Sequence, residues 1–322
     1  MVRLTFSTLL WTLSTFSVIY TTSLKSDVQR DGDVESPDLS NLPPIMRRYS
    51  VPDIGSQQYD PGVFSPRPAM QMIVSRNSEL IDAEIPGFLE GDMYIPDVKT
   101  KRSVIADESR RWPNAVVPYV IDPVYDGESV RKIESAMEEF HHYTCLRFVR
   151  RTYEEHYLYI LPLDGCWSGF GYGAYAGQKI SLGNGCVAFT VILHELMHAL
   201  GFIHEQNRND RDNYVYILRQ NISPNFVSQF EKTLDKVLTH GTPYDYDSIM
   251  HYHRTAFTKD GQPTVISVDD YHKELGTATT FTKWDFVEIN AAYKCGMVNF
   301  VMFDDDVDDD DAAAALLMMM MI

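Results

Sequence analysis

The chain has 322 residues, of which 44% are hydrophobic and 23% are charged, so it is long enough and apolar enough for one or two globular domains. Its formal net charge of −17 argues against nucleic acid and anionic membranes as partners, because both bind basic surfaces. Seven of the negative charges lie in one C-terminal run, 304–311, so the rest of the chain carries only a moderate acidic excess.

The first 22 residues are typical of a secretory signal peptide. One early basic residue, Arg3, is followed by an apolar run, 4–20, that Thr and Ser residues interrupt. These interruptions disfavour a retained membrane anchor, and no other stretch approaches the ~18 apolar residues of a membrane-spanning helix. We therefore predict that residues 1–22 are removed and that the protein is secreted without membrane attachment.

Residues 23–102 are rich in Pro, Ser and Asp and show no sustained helical or strand period. We interpret them as a propeptide that is extended or loosely folded and has no core of its own. The segment closes with a basic cluster, where an activating protease that cuts after Arg102 would free Ser103. A second basic pair, Arg110 and Arg111, is a rival cleavage site.

Short apolar runs and helical patterns follow in the domain that we assign to residues 103–297. We predict strands at 112–121, 146–150, 157–161 and 179–182, and helices at 130–140 (capped by Ser129 or Asp126), 226–238 and 284–293. A segment dense in Gly, Tyr and Trp, 165–177, lies between two of the strands.

The cysteines form an even set of four, which allows three disulfide pairings. They are Cys145, Cys166, Cys186 and Cys295. In the oxidising compartment that secretion implies, we expect disulfides rather than metal binding, because no close pair has the spacing of a zinc site.

The strongest chemical signal is a His-Glu-x-x-His sequence in an apolar run. His194 and His198 are four residues apart, so on a helix they project from one face and can bind a single metal ion. Glu195 can take a proton from a metal-bound water, which is the role of a general base in hydrolysis. Gly201 can end the helix, and His204 beyond it can supply a third ligand. Three protein ligands with an open position indicate a catalytic rather than a structural zinc site.

Extended through Gly201 to His204, the motif is the long zinc signature of the metzincin proteases. With Glu205 directly after the third histidine, it resembles the astacin family in particular. A second block, Ser248-Ile-Met-His-Tyr252, is similar to the Met-turn of that family. The resemblance covers about residues 88–296.

The resemblance implies an α+β fold of the metzincin type. An N-terminal subdomain would hold a twisted mixed β-sheet and the zinc-binding helix, a mostly irregular C-terminal subdomain would lie below, and the active cleft would run between them. It further implies one Zn²⁺ per catalytic domain, bound by the three histidines. Met250 would form the floor of the site, and Tyr252 would be a displaceable ligand that stabilises the oxyanion of the reaction.

The resemblance also extends into the propeptide. The sequence Leu89-Glu-Gly-Asp92 is similar to the family motif Phe-x-Gly-Asp, with Leu89 in place of Phe. It implies that Asp92 binds the zinc in place of water and keeps the enzyme latent; a plain surface turn is the alternative. In the mature form, the new N-terminus at Ser103 would pair with Glu205. The implied disulfides are Cys145–Cys295 and Cys166–Cys186.

Two further features are weaker. Asn221 begins a glycosylation sequon, which the following Pro224 weakens. Residues 298–322 are acidic and then apolar, and we expect them to be disordered without assigning them a function.

The sequence therefore predicts a secreted, zymogenic zinc endopeptidase that hydrolyses internal peptide bonds of proteins or peptides. One alternative is a catalytically inactive secreted binding protein on the same scaffold. It is disfavoured because neither Glu195 nor any of the three histidines is missing. Another alternative is a different metal-dependent hydrolase that acts on small peptides or non-peptide amides.

Overall fold

The computed structural model describes residues 38–40, 42–48, 67–83, 85, 87–95, 108–173, 176–232 and 239–296. The predicted signal peptide, the predicted cleavage site at Arg102 and the C-terminal tail lie outside these residues.

A seven-stranded mixed β-sheet forms the centre of the described part of the chain. Its strands are β1 (Phe88–Leu89), β2 (Met93–Tyr94), β3 (Val116–Ile121), β4 (Arg147–Arg150), β5 (Leu158–Leu161), β6 (Cys166–Gly169) and β7 (Gln178–Leu182). Their spatial order is β1-β2-β6-β7-β5-β3-β4. Strands β4, β3, β5 and β7 are parallel, whereas β6 runs antiparallel to β7. The four strands predicted from apolar runs are present as β3, β4, β5 and β7; the first three are shorter than predicted, and β7 begins one residue earlier. Strands β1, β2 and β6 were not predicted.

Five α-helices are present in the described residues: α1 (Ala69–Arg76), α2 (Ser78–Asp82), α3 (Gly127–Tyr143), α4 (Phe189–Ala199) and α5 (Lys283–Ala292). Helix α3 begins where the Asp126 side chain accepts from the Ser129 amide, which is the capping contact that aspartate favours. Helix α4 is the central helix, because every residue from Thr190 to Ala199 is buried and the helix packs against α1, α3 and β6.

The prediction of an extended or loosely folded propeptide is wrong for the described residues 67–83, 85 and 87–95. These residues form α1, α2 and the β1–β2 hairpin, and β2 pairs in parallel with β6. The helices have only eight and five residues, too short for a sustained period. Their apolar residues Met70, Ile73 and Leu80 are buried in one core with residues of the β-sheet and of α4. The described part of the predicted propeptide thus folds on a surface that the rest of the chain supplies.

The helix predicted at 226–238 is also wrong in its described part, since Pro224–Phe230 form 3₁₀ turns. The carbonyls of Gln229 and Phe230 accept hydrogen bonds from the side chains of Asn207 and Arg211. These long-range donors anchor the segment to the turn that follows His204.

The described residues after helix α4, here called the C-terminal part, consist mainly of turns and loops. Its regular elements among the described residues are α5 and a two-stranded antiparallel sheet of β8 (Val215–Ile217) and β9 (Val265–Ser267). The two disulfides, Cys145–Cys295 and Cys166–Cys186, are the pairs implied by the family resemblance. The α+β architecture predicted from that resemblance is confirmed.

Within the described ranges, no helix is both long enough and apolar enough to span a lipid bilayer.

Candidate metal centre

Helix α4 and the turn after it bring the three predicted histidine ligands together. His194 and His198 lie one helical turn apart on α4. Gly201 follows with a φ of 93°, a left-handed conformation that glycine adopts without steric strain. The chain thereby leaves the helix axis and returns His204 to the same point. The ligand atoms of the three histidines and of Asp92 all lie within 4.8 Å of one another.

The end of α4 is fixed by side chains from distant segments. Trp112 Nε1 donates to the Ala199 carbonyl at 2.9 Å, and the Tyr293 hydroxyl donates to the Leu200 carbonyl at 2.9 Å. Arg111 Nη1 donates to the Gly201 carbonyl at 3.0 Å. Carbonyls at a helix C-terminus have no partner within the helix, so these donors complete its last turn. The turn that carries His204 is therefore held by the domain around it.

The second ring nitrogen of each helix histidine also has a partner. His194 Nδ1 lies 2.8 Å from the Ile249 carbonyl, and His198 Nδ1 lies 2.8 Å from the Phe202 carbonyl. A carbonyl only accepts, so both Nδ1 atoms carry hydrogens and the Nε2 atoms of the neutral rings are left as acceptors.

Asp92 projects into the space between these Nε2 atoms. Its Oδ2 lies 3.1 Å from His194 Nε2 and 3.4 Å from His204 Nε2, and its Oδ1 lies 3.2 Å from His198 Nε2. All four side chains are completely buried. The structure thus brings together the predicted ligands and the predicted blocking carboxylate.

The chemistry of this set fits a cation. The centre contains imidazole nitrogens and a carboxylate; Asp92 Oδ1 and His198 Nε2 are buried 3.2 Å from each other, and neither atom makes a hydrogen bond elsewhere. Buried acceptors without donors are costly unless a positive charge lies among them. Imidazole nitrogen and carboxylate oxygen are ligands that zinc takes in proteins.

Glu195 lies beside this centre with both carboxylate oxygens buried and without a hydrogen-bond partner. Burial raises the pKa of Glu195 well above its usual value, and the charge of Asp92 raises it further. The carboxyl group is therefore positioned to hold a proton in the interior of the site.

Tyr252 contacts the centre through its ring and the predicted propeptide through its hydroxyl. The ring centroid lies 4.7 Å from that of His204, and the hydroxyl donates to the Glu90 carbonyl at 2.6 Å. Burial raises the pKa of Tyr252 well above its usual value. Met250, the predicted floor residue, is buried, and its carbonyl accepts from the Glu205 amide at 3.1 Å.

Glu205 is paired inside the domain. Its Oε1 accepts from Arg208 Nη1 at 2.8 Å and from the Asp245 amide at 2.8 Å. Burial raises the pKa of the Glu205 carboxyl, and the Arg208 charge opposes this rise. Ser103, its predicted partner in the mature form, lies outside the described residues.

Three residues that take part in the contacts of the predicted propeptide were not identified by the sequence analysis. Asn77 is buried; its Nδ2 donates to the Gly91 carbonyl at 2.8 Å, and its Oδ1 accepts from the Cys166 amide at 2.8 Å. Gln229 Oε1 accepts from the Gly91 amide at 3.0 Å. Glu90 is 8% exposed and contacts His204. Only Glu90 had a sequence signal, namely its place inside the Leu89–Asp92 motif.

The predicted glycosylation site is placed on the surface of the C-terminal part. Asn221 is half-buried, and its Nδ2, the atom that would carry a glycan, donates to the Pro263 carbonyl at 2.7 Å. Glycosylation of Asn221 stays a prediction.

Comparisons with known proteins agree with this geometry. The family model described as Astacin, a peptidase family, matches residues 104–294. Zinc metalloproteinase nas-7 of Caenorhabditis elegans is 39% identical over 217 residues, which are 67% of this chain and 56% of that protein. Low choriolytic enzyme of Oryzias latipes is 39% identical over 213 residues, which are 64% of this chain and 78% of that protein.

One solved structure is also similar to this chain. High choriolytic enzyme 1, a hatching enzyme zinc-protease from Oryzias latipes, superposes with a TM-score of 0.54 and 41% sequence identity. The similarity covers 57% of this chain and 93% of that one. The family match extends over more than half of the chain and includes both the histidine motif and the Met-turn, and the protein therefore belongs to the astacin family of peptidases.

Proposed function

We propose that the chain is a secreted zinc endopeptidase that is made as a latent precursor. The observation that carries this proposal is the buried Asp92 carboxylate, which lies 3.1–3.4 Å from the Nε2 atoms of His194, His198 and His204. A propeptide carboxylate in this place excludes a substrate carbonyl and a water molecule from the centre. The relatives named zinc metalloproteinase and choriolytic enzyme support zinc as the metal and a protein as the substrate.

The three histidines would hold the zinc ion through their Nε2 atoms. When bound, zinc polarises a carbonyl and lowers the pKa of water, which is the chemistry that amide hydrolysis requires. Glu195, whose oxygens have no other partner, accepts the proton of the attacking water and passes it to the leaving amine. When Asp92 departs, one of the two causes that raise the pKa of Glu195 is removed, so the ionised base forms more readily.

Tyr252 changes its hydrogen-bond partner in this proposal. In the structure, its hydroxyl is engaged by the Glu90 carbonyl. Release of the propeptide frees that hydroxyl to donate to the negatively charged oxygen that develops on the substrate carbonyl. The same cleavage would thus open the metal centre and supply the oxyanion donor.

Maturation would follow cleavage after Arg102, with the ammonium of Ser103 joining Arg208 at the buried Glu205 carboxylate. The rival site is disfavoured because the Arg111 guanidinium is engaged by the Gly201 carbonyl and by His240. Two disulfides in the domain agree with the oxidising compartment that the predicted signal peptide implies.

The test is casein cleavage by the purified chain before and after trimming at Arg102. We expect activity only after trimming, and we expect a zinc chelator or Glu195→Ala to abolish it. Glu155→Ala, which removes an exposed glutamate, is the matched control and should keep full activity. Activity that survives Glu195→Ala would refute the assigned base. A folded, zinc-loaded and trimmed protein without activity on any protein substrate would favour the inactive binding protein.

A further inference from the structure

The three histidines proposed as ligands differ in the hydrogen-bond partner of Nδ1, the ring nitrogen that does not face the metal centre. His194 and His198 donate from Nδ1 to the carbonyls of Ile249 and Phe202, each at 2.8 Å. Both carbonyls belong to the main chain of the catalytic domain, so both contacts persist after maturation. His204 is different, because its Nδ1 lies 2.9 Å from the Oε2 of Glu90, a propeptide side chain. One of the three contacts is therefore removable.

The turn around Glu90 is shaped for this contact. Glu90 has a φ of 50°, in the left-handed region that non-glycine residues rarely adopt. Its carbonyl accepts from the Tyr252 hydroxyl at 2.6 Å, and its Oε2 also lies 3.4 Å from the His204 amide nitrogen. The side chain and the main chain of Glu90 are thus both anchored at the centre, on either side of an unfavourable backbone conformation.

The contact with Glu90 is made by Nδ1 of His204, the ring nitrogen that does not face the metal centre. A carboxylate that accepts from Nδ1 fixes the rotation of the ring, keeps Nε2 as the acceptor and increases the basicity of that nitrogen. The bond is charge-assisted and therefore stronger than the bonds to carbonyls at His194 and His198. Asp92 has a separate role, because it faces Nε2 of each ring and not Nδ1.

We propose that Glu90 is a positioning residue for His204, and that through this histidine it tightens metal binding in the uncleaved chain. The proposal rests on the proposed function, because it takes zinc as the bound metal. It adds a second task for the propeptide, which would hold the metal in the precursor as well as block the centre. The kinetics of zinc loss then become the direct readout.

The experiment measures the rate at which zinc passes from the full-length uncleaved chain to a fluorescent chelator. Glu90→Ala should lose zinc roughly 10- to 100-fold faster than wild type, the usual effect of removing such a partner. Glu90→Gln should lie between them, because its amide oxygen still accepts from Nδ1 without the charge. Glu79→Ala is the matched control, since Glu79 is an exposed propeptide glutamate that pairs only weakly with Arg48, at 3.5 Å.

An internal control follows from the location of Glu90. Trimming at Arg102 removes residue 90, so trimmed wild type and trimmed Glu90→Ala have the same sequence and should lose zinc at the same rate. If the trimmed proteins differ, the alanine variant has misfolded, and the comparison of Glu90→Gln with wild type decides the matter.

Equal rates of zinc loss for wild type, Glu90→Ala and Glu90→Gln in the uncleaved chain would overturn the inference. That outcome leaves the proposed function intact, because zinc would still be bound. An uncleaved wild-type chain that binds no zinc would instead refute the proposed function. The two failures are therefore distinguishable in a single measurement.

Discussion

The hydroxyl of Tyr252 donates a 2.6 Å hydrogen bond to the main-chain carbonyl of Glu90, a residue 162 positions earlier in the chain. Two residues after Glu90, the Asp92 carboxylate lies among the Nε2 atoms of the three histidines. A single turn of the predicted propeptide thus contacts both the proposed metal ligands and the proposed oxyanion donor. Five predictions test these contacts and the framework that supports them.

Replacing Asp92 with alanine should give the uncleaved chain peptidase activity on a short fluorogenic peptide. A hydrogen bond to a charged group contributes about 1.5–3 kcal/mol, so we expect activity roughly 10- to 100-fold above that of uncleaved wild type. Asp82→Ala removes an exposed aspartate at the end of α2 and should leave the uncleaved chain without increased peptidase activity. If neither variant gains peptidase activity in the uncleaved chain, Asp92 does not keep the centre closed.

Removing the hydroxyl in Tyr252→Phe should lower the kcat of the trimmed protein by roughly 10²–10³-fold, the usual effect of losing one oxyanion donor. KM should change little, because the donor acts in the transition state and not on bound substrate. Tyr153→Phe, at a side chain that is 89% exposed, is the control. Steady-state kinetics decide, and an unchanged kcat would exclude Tyr252 from the reaction.

Asn77→Ala should loosen the β1–β2 hairpin. Its amide group serves the Gly91 carbonyl and the Cys166 amide and carbonyl, so truncation leaves buried polar groups without partners, at about 1–3 kcal/mol. Hydrogen exchange of the main-chain amides in 88–95 should accelerate in the uncleaved chain. Ser78→Ala, at the exposed neighbouring residue, should exchange like wild type. The same slow exchange in Asn77→Ala would contradict this role.

His240 should make the protein sensitive to acid. Its Nε2 lies 3.2 Å from Arg111 Nη2, and burial together with the Arg111 charge lowers its pKa from 6.5 to about 4. The unfolded chain therefore binds this proton at a higher pH than the folded chain does. The stability contributed by neutral His240 is fully present above about pH 6.5 and is lost as the pH falls toward 4.

The measurement is the free energy of urea unfolding between about pH 4 and 7.5, a range that spans the two pKa values of His240. His240→Gln should show a shallower decline on acidification than wild type, because glutamine does not take up a proton. His272→Gln, at an exposed histidine, should follow the wild-type curve. Parallel curves for His240→Gln and wild type would refute the assignment.

Gly276→Ala should destabilise the Met-turn. Gly276 has a φ of 59°, and an added Cβ would overlap the carbonyl group of His251. Gly261→Ala is the matched control, because its φ is 81° but its Cβ would meet no heavy atom within 4 Å. Both variants suffer the strain of positive φ, so the difference isolates the overlap, which we expect to be roughly 1–3 kcal/mol. Equal unfolding free energies would show that the Met-turn yields without strain.

The sequence by itself determined the ligand set of the candidate centre. Helical geometry fixes His194 and His198 on one face, and the glycine three residues later permits the turn that returns His204. These relationships are local, so residue types and spacing are sufficient to predict them. Strands β3, β4, β5 and β7 and the capped start of α3 were predictable for the same reason, whereas β1, β2 and β6 were not predicted.

Only the tertiary structure decided which side chains support that centre and hold the segment around Asp92 against it. Asn77 meets Cys166 across 89 residues, and Glu90 meets His204 across 114 residues. Helices α1 and α2 form where a core from the rest of the chain covers their apolar residues. Such contacts depend on which surfaces meet after folding, and a hydrogen bond between distant residues leaves no period in the sequence. The partners of the ligands therefore had to be found in three dimensions, whereas the ligands themselves did not.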